Sequence, residues 1–132
     1  CAGYAQQRSP TLYDRLGGQP AIVAVVDDFV GNVAADNRIN GFFAKTDIPR
    51  LKRLLAEQIC AGSGGPCTYT GRDMRTAHVK LPITNAQFNA LAEDLYIAFD
   101  RVGVSYALQN EMIALLAPMQ RDIVKRRAIE RA

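Results

Sequence analysis

Metal-binding side chains are scarce in this chain: there is one histidine, His78, and three cysteines, Cys1, Cys60 and Cys67. No metal-knuckle spacing of the Cys-x-x-Cys type is present, which excludes the zinc-ribbon class of site. No apolar run approaches the roughly 18 residues that a bilayer-crossing helix needs, so no transmembrane segment is expected. A strong charge of one sign is missing too, with 16 Lys and Arg against 13 Asp and Glu for a net +3. The small excess gathers in the tail at Arg121, Lys125, Arg126, Arg127 and Arg131, where cations offset a helix C-terminal dipole. A nucleic-acid binder carries a larger, clustered excess with aromatic residues among the charges, so nucleic acid is not an expected partner. Internal repeats and low-complexity stretches are absent as well.

What is present fits one all-α domain. The 132 residues suffice for one apolar core, and a 48% hydrophobic content is ordinary for a globular protein. From Pro20, residues Ile22, Val25, Val26, Phe29, Val30 and Val33 recur at three- and four-residue steps, the period of an amphipathic helix. The valines also suit a strand, which makes this helix the least secure of the four. Asp47 caps a second helix whose face is Ile48, Leu51, Leu55 and Ile59, with Pro49 tolerated in its first turn. That helix ends in the glycine loop around Gly62, Gly64 and Gly65. A brief helical turn carries His78, and Pro82 stops it. Thr84 with Gln87 forms a capping box that opens a third helix with Phe88, Leu91, Leu95, Ala98 or Phe99, and Val102 inward, closed by Gly103. Ser105 caps a fourth, with Leu108, Met112, Leu115, Leu116, Met119 and Ile123 on one face.

Two features concern the compartment. Cys1 followed by small residues and then Gln6, Gln7, Arg8 and Ser9 resembles a bacterial lipoprotein after cleavage, with Cys1 as the lipid anchor, and Gly3-Tyr4-Ala5 also suits the end of a secretory signal. Both imply a periplasmic or cell-envelope location; an arbitrary start in a cytoplasmic protein is the alternative. Cys60 and Cys67 flank a flexible segment that can fold back to bring two sulfurs together, which would persist only in an oxidising compartment, while two free thiols are the other reading.

Taken alone, a single histidine between Ala77 and Val79 is more often structural than a ligand. Its neighbours change that reading. Leu12-Tyr13-Asp14-Arg15-Leu16-Gly17-Gly18, Val25 to Phe29 (VVDDF), Phe42-Phe43 before Thr46-Asp47, Gly64-Gly65-Pro66, Tyr69-Thr70-Gly71, Met74 through His78, and then Ile83 and Phe88 resemble, in order and spacing, the truncated haemoglobins of group I. The resemblance runs from about residue 11 to residue 124, leaving residues 1–10 as an N-terminal extension of a domain spanning 11–132. It implies a two-over-two helical sandwich around haem b.

By the same resemblance His78 is the proximal ligand to iron, and its second ring nitrogen needs an acceptor such as a backbone carbonyl of the preceding turn. Phe43, Phe88, Leu91, Leu95 and Leu116 line the cofactor. Tyr69 and Met74 border it on the proximal approach, and Thr46, Arg50 and Arg75 meet the propionates. The chain also departs from the family's dominant pattern. A tyrosine usually follows Asp-Phe in the first long helix, where this chain has Val30. The partner glutamine of the second helix is replaced by Leu55, and Leu51 holds the first distal place. The distal side implied is therefore Val30, Phe43, Leu51, Leu55 and Leu116. Gln58 and Lys52, the nearest polar candidates, are expected at the rim. One neutral hydrogen bond in a dry site is worth about 1–3 kcal/mol, or roughly one to two decades of O2 affinity. Its absence predicts fast O2 loss and easy oxidation of the iron, with CO and NO relatively favoured. The expected function is reversible binding of O2, NO and CO, with reduction by an unknown reductase. A haem enzyme, either an NO dioxygenase or peroxidase-like, is the first alternative, and a haem-free helical interaction module the second.

Overall fold

The computed structural model describes residues 10–78 and 81–124. Cys1, the residues of the extension before Pro10, and Lys125, Arg126, Arg127 and Arg131 lie outside the described residues. The described chain is helical and contains no strand. Helix α1 covers Leu12–Leu16, α2 Gly18–Ala35, α3 Ile48–Gly62, α4 Met74–Ala77, α5 Asn85–Val102, α6 Tyr106–Leu116 and α7 Gln120–Ile123. Two 3-10 turns, Asn40–Phe43 and Ala117–Met119, complete the set. None of the described helices is long and apolar enough to cross a membrane.

Local signals explain the ends. Asp47, Thr84 and Ser105 each accept a backbone N–H from the first turn of α3, α5 and α6, satisfying donors that a helix start leaves open. The Thr84–Gln87 capping box is present in both directions. A second one, Thr11 with Asp14, opens the short α1, which the hydrophobic period did not announce. Gly17, at φ 110°, closes α1 and launches α2 in the left-handed region that glycine enters without a Cβ penalty.

The valine-rich segment is a helix because its apolar residues share one stripe. Ile22, Val25, Val26, Phe29, Val30 and Val33 are all buried, and this burial outweighs the modest helix cost of β-branching. Helix α2 packs chiefly on α5, whose Ala90, Leu95, Ala98 and Phe99 are buried, and on α3 through Ile59 and Cys60. Small Ala90 and Ala98 beside Phe99 let the α2 and α5 backbones approach closely.

The fourth long helix is shorter than its periodicity predicts. It stops at Leu116, and Ala117–Met119 tighten into a 3-10 turn before α7. Pro118 is the cause, since it lacks an N–H and its ring crowds the carbonyl one turn back. Leu115, placed on the inner face by sequence, is 42% exposed, whereas Ile113 packs on the core together with Leu108 and Leu116. The chain redirected by Pro118 still buries Ile123.

Candidate functional site

Helix α4 is a single turn, and His78 is its C-cap. The ring is half-buried, with Nδ1 2.8 Å from the Met74 carbonyl oxygen. A carbonyl can only accept, so Nδ1 carries the proton and donates it. The Nε2 lone pair is thereby the one suited to a metal, the tautomer expected of a proximal histidine. His78 N–H also returns to Met74 O at 3.2 Å, so ring and backbone are held by the same turn.

The apolar residues that the sequence assigns to the cofactor differ in burial. Phe43, Leu51, Leu55, Leu91 and Leu116 are half-buried and packed on the main core, while Val30 and Leu95 lie within it. Phe88, Met74 and Tyr69 are half-buried outside that cluster. Apolar residues left half-open suit an apolar ligand that completes their burial. Among the described residues no three His, Cys, Asp or Glu side chains converge on a metal position. His78 therefore stands as a single protein donor, and a tetrapyrrole, which supplies its own four nitrogens, fits that donor set.

The polar residues assigned to the cofactor's carboxylates divide. Thr46 is half-buried beside the Asp47 cap, and Arg50 is exposed in the first turn of α3. Arg75, by contrast, is engaged, with Nη2 3.0 Å from Asp122 Oδ1, joining α4 to α7. Tyr69 donates its hydroxyl to the Arg72 carbonyl at 2.6 Å, and its ring lies where a Cβ on Gly71 would stand. Burial pushes the Tyr69 phenol up, opposed by the charges of Arg72 and Arg50, so it stays a neutral donor.

Two polar residues occupy unexpected or informative places. Lys52 Nζ lies 3.3 Å from Asp27 of α2. Gln58 Nε2 lies 3.4 Å from the sulfurs of both Met74 and Met119. Its position follows from spacing, because 51, 55 and 58 are i, i+4 and i+7, one stripe of a helix. Asp122 is a further residue of this region that sequence reasoning did not single out, and Met119 was read only as part of a helix face, because both follow the bend at Pro118.

The segment before α4 is fastened to α3. Cys60 and Cys67 form a disulfide, with Cα atoms 5.8 Å apart. Thr70 donates its N–H and its hydroxyl to Glu57 Oε1 at 2.9 and 2.7 Å, which holds the Glu57 carboxyl below its usual range. The path from the last turn of α3 to His78 is thus tied down at two points one helical turn apart.

Comparison with known proteins places this arrangement. Residues 11–125 match the family model described as bacterial-like globin. A group 1 truncated hemoglobin of Mycolicibacterium paratuberculosis is 34% identical over 122 residues, covering 92% of this chain and 90% of that protein. Among solved structures, the truncated hemoglobin of Tetrahymena pyriformis in its Fe(III) form superposes with a TM-score of 0.84 at 31% identity, covering 88% of this chain and 99% of that one. The 2/2 hemoglobin of a Synechococcus species, solved in the cyanomet state with covalently attached heme, gives 0.82 at 33% identity, with coverage of 88% and 99%. The chain belongs to the bacterial-like globins and, within them, to the group 1 truncated haemoglobins, a family of haem- and gas-binding two-over-two globins.

Proposed function

We propose that this globin binds haem b through Nε2 of His78 and holds O2, NO and CO reversibly on a distal side made of Val30, Phe43, Leu51, Leu55 and Leu116. The observation that carries this reading is the 2.8 Å contact between His78 Nδ1 and the Met74 carbonyl, which sets the tautomer before any metal arrives. Bound haem supplies an iron with a position open to a small ligand, a broad apolar ring and two carboxylates.

The protein's part is positioning and solvent exclusion. Phe43, Phe88, Leu91, Leu95 and Leu116 offer hydrocarbon to the ring, with Met74 and Tyr69 at its border. Thr46 and Arg50 are the polar groups suited to the carboxylates, and Arg75 takes that role by exchanging its Asp122 contact. Such an exchange between exposed pairs costs little. The side chains of the distal set are hydrocarbon and can neither give nor take a proton, which favours binding over turnover by NO dioxygenation or peroxide chemistry. A disulfide between Cys60 and Cys67 supports work in an oxidising compartment. We place the globin in the periplasm or cell envelope, supplied with electrons by a separate reductase.

The test is His78→Gly with absorption spectra of the reconstituted protein. The parent should give ferric, ferrous and CO-bound Soret bands. The variant should lose the histidine-ligated spectrum and recover it with added imidazole. An unchanged spectrum would remove His78 from the iron, and a parent with no Soret band would instead favour a helical interaction module.

A further inference from the structure

An open groove of about 400 Å³ runs between α2 and α3, away from the His78 turn, with Cys67 in its wall. Its floor is apolar, from Val23, Val26 and Ala56, and its rim carries both charge signs, Asp27 with Lys52 and Arg53 with Glu57. Val23 is 44% exposed although it lies on a helix packed into the core. A volume of this size falls among small-molecule sites, which span roughly 300–1,000 Å³.

The two sulfurs of the disulfide face different surroundings. Cys60 is 0% exposed and sits in the core cluster, whereas Cys67 is half-buried and opens on the groove. A thiolate displaces a disulfide only by reaching one of its sulfurs, so access selects the target. We propose that the groove is a thiolation site, taking a small zwitterionic thiol of the glutathione class and joining it to Cys67.

The step balances without an added oxidant. The incoming thiolate forms a bond to Cys67 Sγ, the Cys60–Cys67 bond breaks, and Cys60 leaves as a thiolate. Cys60 then takes a proton from water, because an apolar core accepts a neutral thiol far better than an anion. A carboxylate on the thiol meets Lys52 or Arg53, and its ammonium meets Asp27 or Glu57. These rim pairs are loose, at 3.3 and 3.7 Å, so partner exchange costs little.

The consequence falls on the path to the histidine. Thiolation removes one of the two ties between α3 and the segment that enters α4, leaving the Thr70–Glu57 hydrogen bonds. The proposal does not depend on haem, since the adduct is read from the polypeptide itself.

The full chain, with and without haem, is incubated with reduced glutathione under native conditions, quenched with an alkylating agent in denaturant and mapped by peptide mass. The expected result is glutathione on Cys67 and alkylation on Cys60, with faster amide exchange in residues 64–73. Val23→Trp fills the groove from an exposed position and should lose the adduct over the time in which the parent is fully labelled, while both denatured chains react alike. Glutathione on Cys60, no adduct until the chain is denatured, or a Val23→Trp variant that labels as fast as the parent would each overturn the proposal. So would a neutral thiol of equal thiolate reactivity that labels Cys67 as fast as glutathione, since the charged rim would then recognise nothing.

Discussion

Asp94 is a carboxyl in the wrong place for a charge, and replacing it by asparagine should make the protein more stable at neutral pH. It lies on α5 against the end of α2, 4% exposed. Arg38 grips Asp36 with two hydrogen bonds, Nε to Oδ1 at 2.9 Å and Nη2 to Oδ2 at 2.8 Å, and reaches Glu93 at 3.1 Å. Only 4.0 Å of loose contact remains for Asp94 Oδ1. One cation therefore serves three carboxylates, and Asp94, the most buried of them, is served least. Burial, then the hydrogen bond and charge of Asp36, push its pKa up to about 6, while Arg38 holds Asp36 well below the usual carboxylate range. Asp94 Oδ2 is buried and accepts no hydrogen bond, an environment that favours the neutral carboxyl over the anion.

The sign of the pH effect follows. A folded chain that keeps the Asp94 proton to about pH 6, against 3.8 for the ordinary carboxyl, binds more protons than the unfolded chain between those values. Stability from this group is complete below pH 3.8 and is lost as pH rises through 6. At 1.36 kcal/mol per unit the ceiling is ~3 kcal/mol, and sharing with Asp36 and partial exposure of Arg38 reduce it to about 1–2 kcal/mol. Asp94→Asn keeps the shape and donates an N–H to Asp36 at every pH. Urea and thermal melts at pH 5 and 7.5 should show the parent losing about half of that amount on going up, the variant losing little, and the variant ahead at pH 7.5 by roughly 3–6 °C in melting temperature. A variant less stable than its parent at pH 7.5, with the parent's pH slope intact, would refute the protonated-pair account.

Leu55→Gln places an amide on the α3 stripe that faces the proposed ligand position; stopped-flow measurement should show O2 leaving about ten- to a hundredfold more slowly, and an unchanged rate would contradict the apolar-pocket account. Gly65→Ala should cost about 1–3 kcal/mol in a denaturant melt, because the new Cβ collides with the Tyr13 ring and with Cys60 Sγ, which the disulfide prevents from moving aside. A neutral result there would mean that Gly65 does not lie against the Tyr13 ring of α1.

What could be read from sequence was whatever is encoded locally. Thr84, Gln87, Ser105, Asp47 and Gly103 mark helix ends through contacts within four residues, and each acts as its residue type predicts. The α2 stripe was readable for the same reason, although its valines argued weakly for a strand. Pro118 was equally local, but a continuing apolar period at Leu115, Met119 and Ile123 masked it. The contacts of Gln58 with Met74 and Met119 had no local signal, because they join residues 16 and 61 positions apart. The disulfide stayed open at the sequence level, since a loop of that length permits closure without requiring it. Asp94 gave no signal at all: its burial depends on which face of α5 meets α2, a fact about two helices 62 residues apart that Asn32 Nδ2 records in its bond to the Asp94 carbonyl.

The two departures from the family's distal pattern make physical sense only together. Val30 is 6% exposed, wedged among Phe29, Val26 and Val33 in the stripe that meets α5. A hydroxyl there would need a partner, and the position that usually supplies one is Leu55. A pocket keeping one of the pair would bury a polar group half-satisfied, at about 1–3 kcal/mol, whereas a pocket lacking both buries none. Gln58, one turn further along α3, escapes this cost by giving its amide to the sulfurs of Met74 and Met119. These are weak acceptors, so this contact is readily surrendered to a better one. Polarity has thus been moved from above the proposed iron position to the turn that precedes His78. A gas that needs a donor is held less firmly by such a site, and one that does not is held as well as before.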